Sequence, residues 1–186
     1  VCSWIISIVL GIILGILSAN IFYEFLKIPA LFKGFIVLII TLMRSLHELV
    51  WCLILMQIFG INQLVGILAI SIPFTAINAK VIREQIDTIN SKSIKSLVLL
   101  KDNNLSALLT LIWHPILKTI NNFGFYRIEC TLRSTAILGL FGIGGIGTSL
   151  FLSFQTLNFR EMWTYLWAFA FLTILVKEFT KKLKIK

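Results

Sequence analysis

Charge is what this sequence has least of. Aspartate, glutamate, lysine and arginine make up 13% of its 186 residues, against about a quarter in a soluble domain, so a water-facing surface of ordinary polarity cannot be built from them. Cysteine is scarce and scattered. Cys2, Cys52 and Cys130 are far apart and lie within or beside apolar runs, which excludes a disulfide framework or a cysteine metal site and leaves them as small hydrophobes. His47 and His114 stand apart from each other and from the cysteines, so no metal site is expected. Serines and threonines occur without a His/Asp arrangement that would activate a nucleophile, and no catalytic residue is assigned.

What the sequence has in abundance is apolar surface. Hydrophobic residues make up 58% of the chain and the mean hydropathy is +0.95. At about 20 residues per membrane span, this length holds roughly five spans and one sizeable loop. A formal charge of +9 would fit nucleic acid if the bases formed a stripe interleaved with aromatics. Instead they sit at the ends of apolar segments, the pattern of the positive-inside rule, and acidic lipid head groups are the expected counter-charge.

The expected fold is therefore all-α and membrane-embedded. A first span runs from Trp4 to Phe25, with Gly11 and Gly15 at the small-xxx-small spacing of a helix-packing face. A second, Gly34 to Phe59, and a third, Leu64 to Val81 with Pro73 inside it, form a hairpin through Gly60–Gln63. From Arg83 to Lys118 charges interrupt short amphipathic stretches, as expected of surface helices ended at Pro115. A fourth run, Phe123 to Phe141, holds Arg127, Glu129 and Arg133 and continues past a glycine-rich string to Phe159; a fifth runs from Met162 to Val176. Basic residues gather in the loop (Lys80, Arg83, Lys92, Lys95, Lys101, Lys118) and in the tail from Lys177, against Arg160 alone on the other side. Loop and C-terminus are thus expected in the cytoplasm and Val1 outside, which implies at least one further span before Val1.

Two charge pairs stand out within the apolar runs. Arg44 and Glu48 are four residues apart, as are Glu129 and Arg133, so each pair is expected to share a helical face. Arg44 lies 11 residues past Lys33 (44 − 33) and Glu129 11 past Lys118 (129 − 118), about 16 Å into a hydrocarbon layer of about 30 Å. A charge there costs at least about 2.5 kcal/mol, so such groups face a bundle interior or a water-filled path. Either the pairs neutralise one another between helices, or they line a solute pathway; the second is the default for ionisable groups at this depth.

The string Gly142-Ile143-Gly144-Gly145-Ile146-Gly147 imitates a dinucleotide fingerprint, but no β-α-β unit surrounds it and both flanks are apolar. Gly142, Gly144, Gly145 and Gly147 instead mark a helix break or a close packing point.

Arg44-Ser45-Leu46-His47-Glu48-Leu49-Val50-Trp51, the glycines Gly60 and Gly66, and the block from Tyr126-Arg127-Ile128-Glu129-Cys130-Thr131-Leu132-Arg133 to Gly147 resemble phosphonate-type ABC importer permeases. Nearly the whole chain takes part in the resemblance. It implies a single transmembrane permease domain over residues 1–186, of the type I importer fold, multi-pass in the inner membrane. It also implies a coupling loop at about 83–118, with Glu84, Asp87, Lys101, Asp102 and Pro115, that docks on a separate ATPase subunit. The chain has no Walker A lysine motif, so ATP and Mg²⁺ belong to that partner and the chain itself carries no cofactor and is not an enzyme. An extracytoplasmic solute-binding protein and a second permease copy are the other implied partners, and phosphonate or a related phosphorus oxyanion is the implied solute, with a methionine-like solute as an alternative. Two positions depart from the family pattern. His47 stands where proline is usual, and Lys101-Asp102-Asn103-Asn104 where an alanine and a glycine are expected. The second departure leaves open a degenerate permease that inserts as a structural or interaction protein.

Overall fold

In the computed structural model, residues 2–20, 23, 29–88, 113, 116, 117, 119–139 and 141–184 are described. Among the described residues seven α-helices follow in order: α1 (Cys2–Ser18), α2 (Ala30–Ser45), α3 (Glu48–Phe59), α4 (Gln63–Asp87), α5 (Phe125–Gly139), α6 (Ile146–Gln155) and α7 (Phe159–Lys184), with a π-helical turn at Ile120–Gly124 leading into α5. The protein is an all-α membrane protein. Among the described residues two helices are long and apolar enough to cross a bilayer unaided, α4 and the Phe159–Lys181 part of α7, and α2 with α3 makes a third if the bent pair is one span.

α4 is the hub. Two thirds of its apolar window (67%) is covered by other helices, and α1 packs along it more extensively than any other pair packs. Ser3, Ser7, Gly11, Gly15 and Ser18 are the buried residues of α1, a stripe of small side chains at near-helical period that lets the two backbones approach. A Cβ on Gly11 would stand 2.6 Å from Asn78 Cβ, and one on Gly15 would stand 2.8 Å from Ile82 Cγ2. Asn78 closes the contact by donating from Nδ2 to the Ser7 carbonyl at 3.2 Å. The packing face expected from Gly11 and Gly15 is therefore present. On the outside, Leu31, Phe35, Leu38, Leu42, Trp163, Trp167 and Phe171 are exposed, the exterior of a chain whose solvent is lipid.

Three boundaries differ from the sequence reading. The first span is interrupted: α1 stops at Ser18, Ala19 is not helical, and the Asn20 backbone N–H donates to Asp87 Oδ1 at 2.9 Å. The Gly34–Phe59 span is two helices meeting at 94° across Leu46 and His47. The loop expected from Arg83 begins later, because α4 continues to Asp87. Ile82 and Ile86 remain buried there, and Lys80 pairs with Glu84 one turn on at 3.5 Å, so the helix keeps both an apolar face and an i,i+4 pair past its first charges. Glu84 and Asp87 accordingly belong to α4, while Lys101, Asp102 and Pro115 lie outside the described residues.

Candidate functional site

The joint between α2 and α3 brings the charged residues together. A helix broken inside an apolar layer must satisfy its freed backbone groups locally, and side chains do so here. His47 is the N-cap of α3 and accepts from the Leu49 N–H through Nδ1 at 3.4 Å. Trp51 Nε1 reaches back across the bend to donate to the Met43 carbonyl at 3.2 Å. Glu48 then occupies the first turn of α3, where the N-terminal end of the helix dipole favours a carboxylate.

That turn docks on the middle of α5. Ser134 Oγ donates to Glu48 Oε1 at 2.7 Å, and His47 Nε2 stands 3.5 Å from the other oxygen, Oε2. Glu48 keeps only 15% of its side-chain surface exposed. Leu49 and Met56 from α3, Phe74 from α4, and Cys130 and Leu138 from α5 belong to one apolar cluster with the fully buried Cys52.

The two expected pairs fare differently. Glu129 and Arg133 do pair along α5, with Arg133 Nη2 donating to Glu129 Oε1 at 3.1 Å. Arg44 and Glu48 do not share a helical face, because the 94° break falls between them. Arg44 is exposed in the last turn of α2, and among the described residues its guanidinium makes no ion pair. The expectation assumed a continuous helix; the Ser-Leu-His-Glu run instead ends one helix and caps the next. Arg133 is likewise the outer member of its pair, 57% exposed against 25% for Glu129.

Arg127 is not among the residues that the sequence pairs or places on a path. It lies on the buried face of α5 with Thr131, Ser134 and Leu138 and is 8% exposed. Its guanidinium carbon stands 4.3 Å from the Phe74 ring centroid and 5.4 Å from that of Phe123. Among the described residues, Nε and Nη2 have no hydrogen-bond acceptor. The sequence signal was a cation in an apolar run with neither acid nor amide four residues away on either side, Phe123 and Thr131 occupying those places.

The glycine string forms a true break. Gly142, Gly144 and Gly145 have φ of +79°, +104° and +95°, a region that L side chains enter at a cost. Gly147 lies within α6 and has a different role, letting α6 cross α5 backbone to backbone: a Cβ there would run into the Ala136 carbonyl and stand 2.9 Å from Gly139 Cα. Between this loop and the start of α4 is an open cleft of about 310 Å³, lined by Gln63, Gly66, Ile67, Thr135 and Ile143 among others. Among the described residues, no three His, Cys, Asp or Glu side chains converge as a metal site would need.

No protein-family model matches the chain. Individual relatives do. A protein of Stutzerimonas stutzeri named for phosphite transport system permease function, HtxE, is 28% identical over 137 residues, which is 73% of this chain and 52% of that one. The phosphite transport system permease protein PtxC of the same organism is 23% identical over 78% of this chain and 53% of its own length. The phosphate-import permease protein PhnE of Mycolicibacterium smegmatis is 25% identical over 64% of this chain and 23% of its own length. The chain thus spans about half the length of the first two relatives. It is similar to the permeases of phosphite and phosphonate transport, as its Arg44–Trp51 and Tyr126–Gly147 blocks imply.

Proposed function

We propose that this chain is a membrane-spanning permease subunit of an ATP-driven importer for phosphonate or a related phosphorus oxyanion, with its loop and C-terminus in the cytoplasm. Solute crosses by alternating access, coupled to a separate ATPase subunit that binds ATP and Mg²⁺. An extracytoplasmic binding protein delivers the solute, and two permease copies enclose the path.

One observation carries this reading: Arg44 and Arg133 are exposed on the isolated chain although both belong to apolar, membrane-depth segments. A guanidinium at that depth is not stable against lipid tails and has to meet water or another chain. A second copy facing this surface would turn two exposed cations into the wall of a shared polar path. Arg44 and Arg133 then offset the charge of an anion in passage, while Glu129 orients Arg133 through its 3.1 Å bond and Glu48 anchors the joint through Ser134. Gly142, Gly144 and Gly145 supply the break that lets α5 and α6 fold back beside the path.

The test is uptake of phosphonate or phosphite by membranes carrying Arg133→Ala in the full protein. Insertion and co-purification with an ATPase subunit are expected to be unchanged and uptake to fall about tenfold, the effect of losing one charge-assisted contact. Unchanged uptake in a normally assembled Arg133→Ala transporter rejects the role of Arg133. Absence of any complex with an ATPase rejects the coupled mechanism.

A further inference from the structure

A buried arginine with two unsatisfied N–H positions is an expensive arrangement, since neither water nor an acceptor repays its desolvation. Phe74 and Phe123 offer their ring faces to Arg127, which offsets part of that cost but gives Nε and Nη2 no acceptor. A void between Phe123, Gly124 and Asn78, which Arg127 does not line, measures about 10 Å³, the room of a single water. An oxyanion does not fit there. A protein group that can move is the better candidate for the missing acceptor.

The carboxylate held against the same buried face of α5 is that of Glu48, through Ser134. Glu48 is held by a hydroxyl at 2.7 Å and an imidazole at 3.5 Å, whereas a carboxylate on a guanidinium makes a charge-assisted, two-pronged contact of roughly twice the strength per bond. Ser134 and Arg127 share the buried face of α5, seven residues or about 10.5 Å apart along the axis. A swing of the arginine combined with a shift of α3 by one helical turn covers that distance. Leu46 and His47, at a 94° bend, are the hinge about which α3 would make such a shift.

We propose that Arg127 and Glu48 are exchange partners: Glu48 rests on Ser134 in the state described here and passes to Arg127 in the other state of the transport cycle. The α2–α3 joint is the hinge and Arg127 is a positioning residue, not a solute contact. The functional half of this inference rests on the transport reading; the meeting of the two side chains does not.

The test uses the full protein in membranes, with its ATPase. Arg127→Gln and Glu48→Gln should each lower uptake about tenfold, and the swap Arg127→Glu with Glu48→Arg should recover most of it with an unchanged KM for phosphite. A swap no better than the singles, or a raised KM for Arg127→Lys, overturns the proposal, the latter in favour of direct solute contact. In parallel, Glu48→Cys with Arg127→Cys, in a background where Cys2, Cys52 and Cys130 are serine, is oxidised with and without ATP and vanadate. Cross-linking at least about tenfold faster in one of the two conditions is expected; equal rates, or no cross-link in either, overturn the exchange even if the swap folds poorly. If the unmodified protein shows no uptake, the transport reading fails, and the cross-linking rates still decide whether the two residues meet.

Discussion

The crossing of α5 and α6 gives a sharp test of the packing, because three glycines of one chain separate three effects. At Gly147 an added Cβ meets backbone on the opposite helix: it runs into the Ala136 carbonyl and stands 2.9 Å from Gly139 Cα and 3.1 Å from the Ala136 carbonyl carbon. Ordinary contact begins at 3.4 Å, and backbone cannot rotate aside as a side chain can. The helices must part by about 1 Å, which places Gly147→Ala at or above the upper end of the roughly 1–3 kcal/mol cost of overpacking. Gly142 has open space around it but a φ of +79°, so alanine there pays the left-handed penalty alone, about 1 kcal/mol. Gly34 has neither neighbour nor positive φ, and alanine in α2 should be neutral or stabilise by up to about 1 kcal/mol. At roughly 2–4 °C per kcal/mol for a chain of this size, thermal unfolding in detergent should order the variants Gly34→Ala, Gly142→Ala, Gly147→Ala from highest to lowest midpoint. Gly147→Ala should melt at least about 6 °C below the unmodified protein. A Gly147→Ala midpoint equal to the unmodified one would refute the backbone-to-backbone crossing.

Ser134→Ala removes the hydroxyl that holds Glu48 Oε1; the unfolding midpoint should fall by the equivalent of about 1–3 kcal/mol, and Glu48→Gln made in the Ser134→Ala background should recover part of it by removing the unpartnered charge. Leu157 has a φ of +55° between α6 and α7 and is exposed, so Leu157→Gly should stabilise by about 1 kcal/mol in the same melting assay. His47 has φ −68° and the preceding Leu46 is extended at φ −98°, ψ 138°. Both values suit an X-Pro pair, and His47→Pro should therefore insert, assemble and melt within about 1 kcal/mol of the unmodified protein, the lost Nδ1 cap being offset by the fixed φ.

Apolar runs announce helices, but they do not announce bends. The α4 span and the Gly11/Gly15 face were legible, because they depend on hydropathy or residue size at a stated position. The Glu129–Arg133 pair was legible too, since its i,i+4 spacing operates within an unbroken helix. Arg44 and Glu48 have the same spacing, and the rule failed there because the helix it presumes ends at Ser45. The signal was present in Ser45, His47 and Glu48, a polar run containing a capable N-cap and a first-turn acid, but hydropathy over a span-length window averages it away. Asp87 shows the converse. Its charge reads as loop, whereas its carboxylate accepts from the backbone and side chain of Asn20 at 2.9 and 3.0 Å, a tertiary contact that no local pattern encodes. Arg127 was visible as an unpaired cation, yet its burial against Phe74 depends on where α4 lies.

The α2–α3 joint explains why such a break can exist without a proline and what that allows. An apolar sequence with no helix breaker should continue straight, since bending inside a membrane strands backbone groups that water cannot reach. Here the Met43 carbonyl is taken by the Trp51 indole and the Leu49 N–H by the His47 ring, so the bend is held by two side-chain hydrogen bonds. Each is worth on the order of 0.5–1.5 kcal/mol. That sum is small enough for differential contacts elsewhere to move the joint and large enough to keep one geometry in their absence. Both bonds come from residues within one turn of Glu48, which ties the state of the hinge to the position of the carboxylate. A joint locked only by a pyrrolidine ring would bend equally well, but its geometry would not depend on where Glu48 rests.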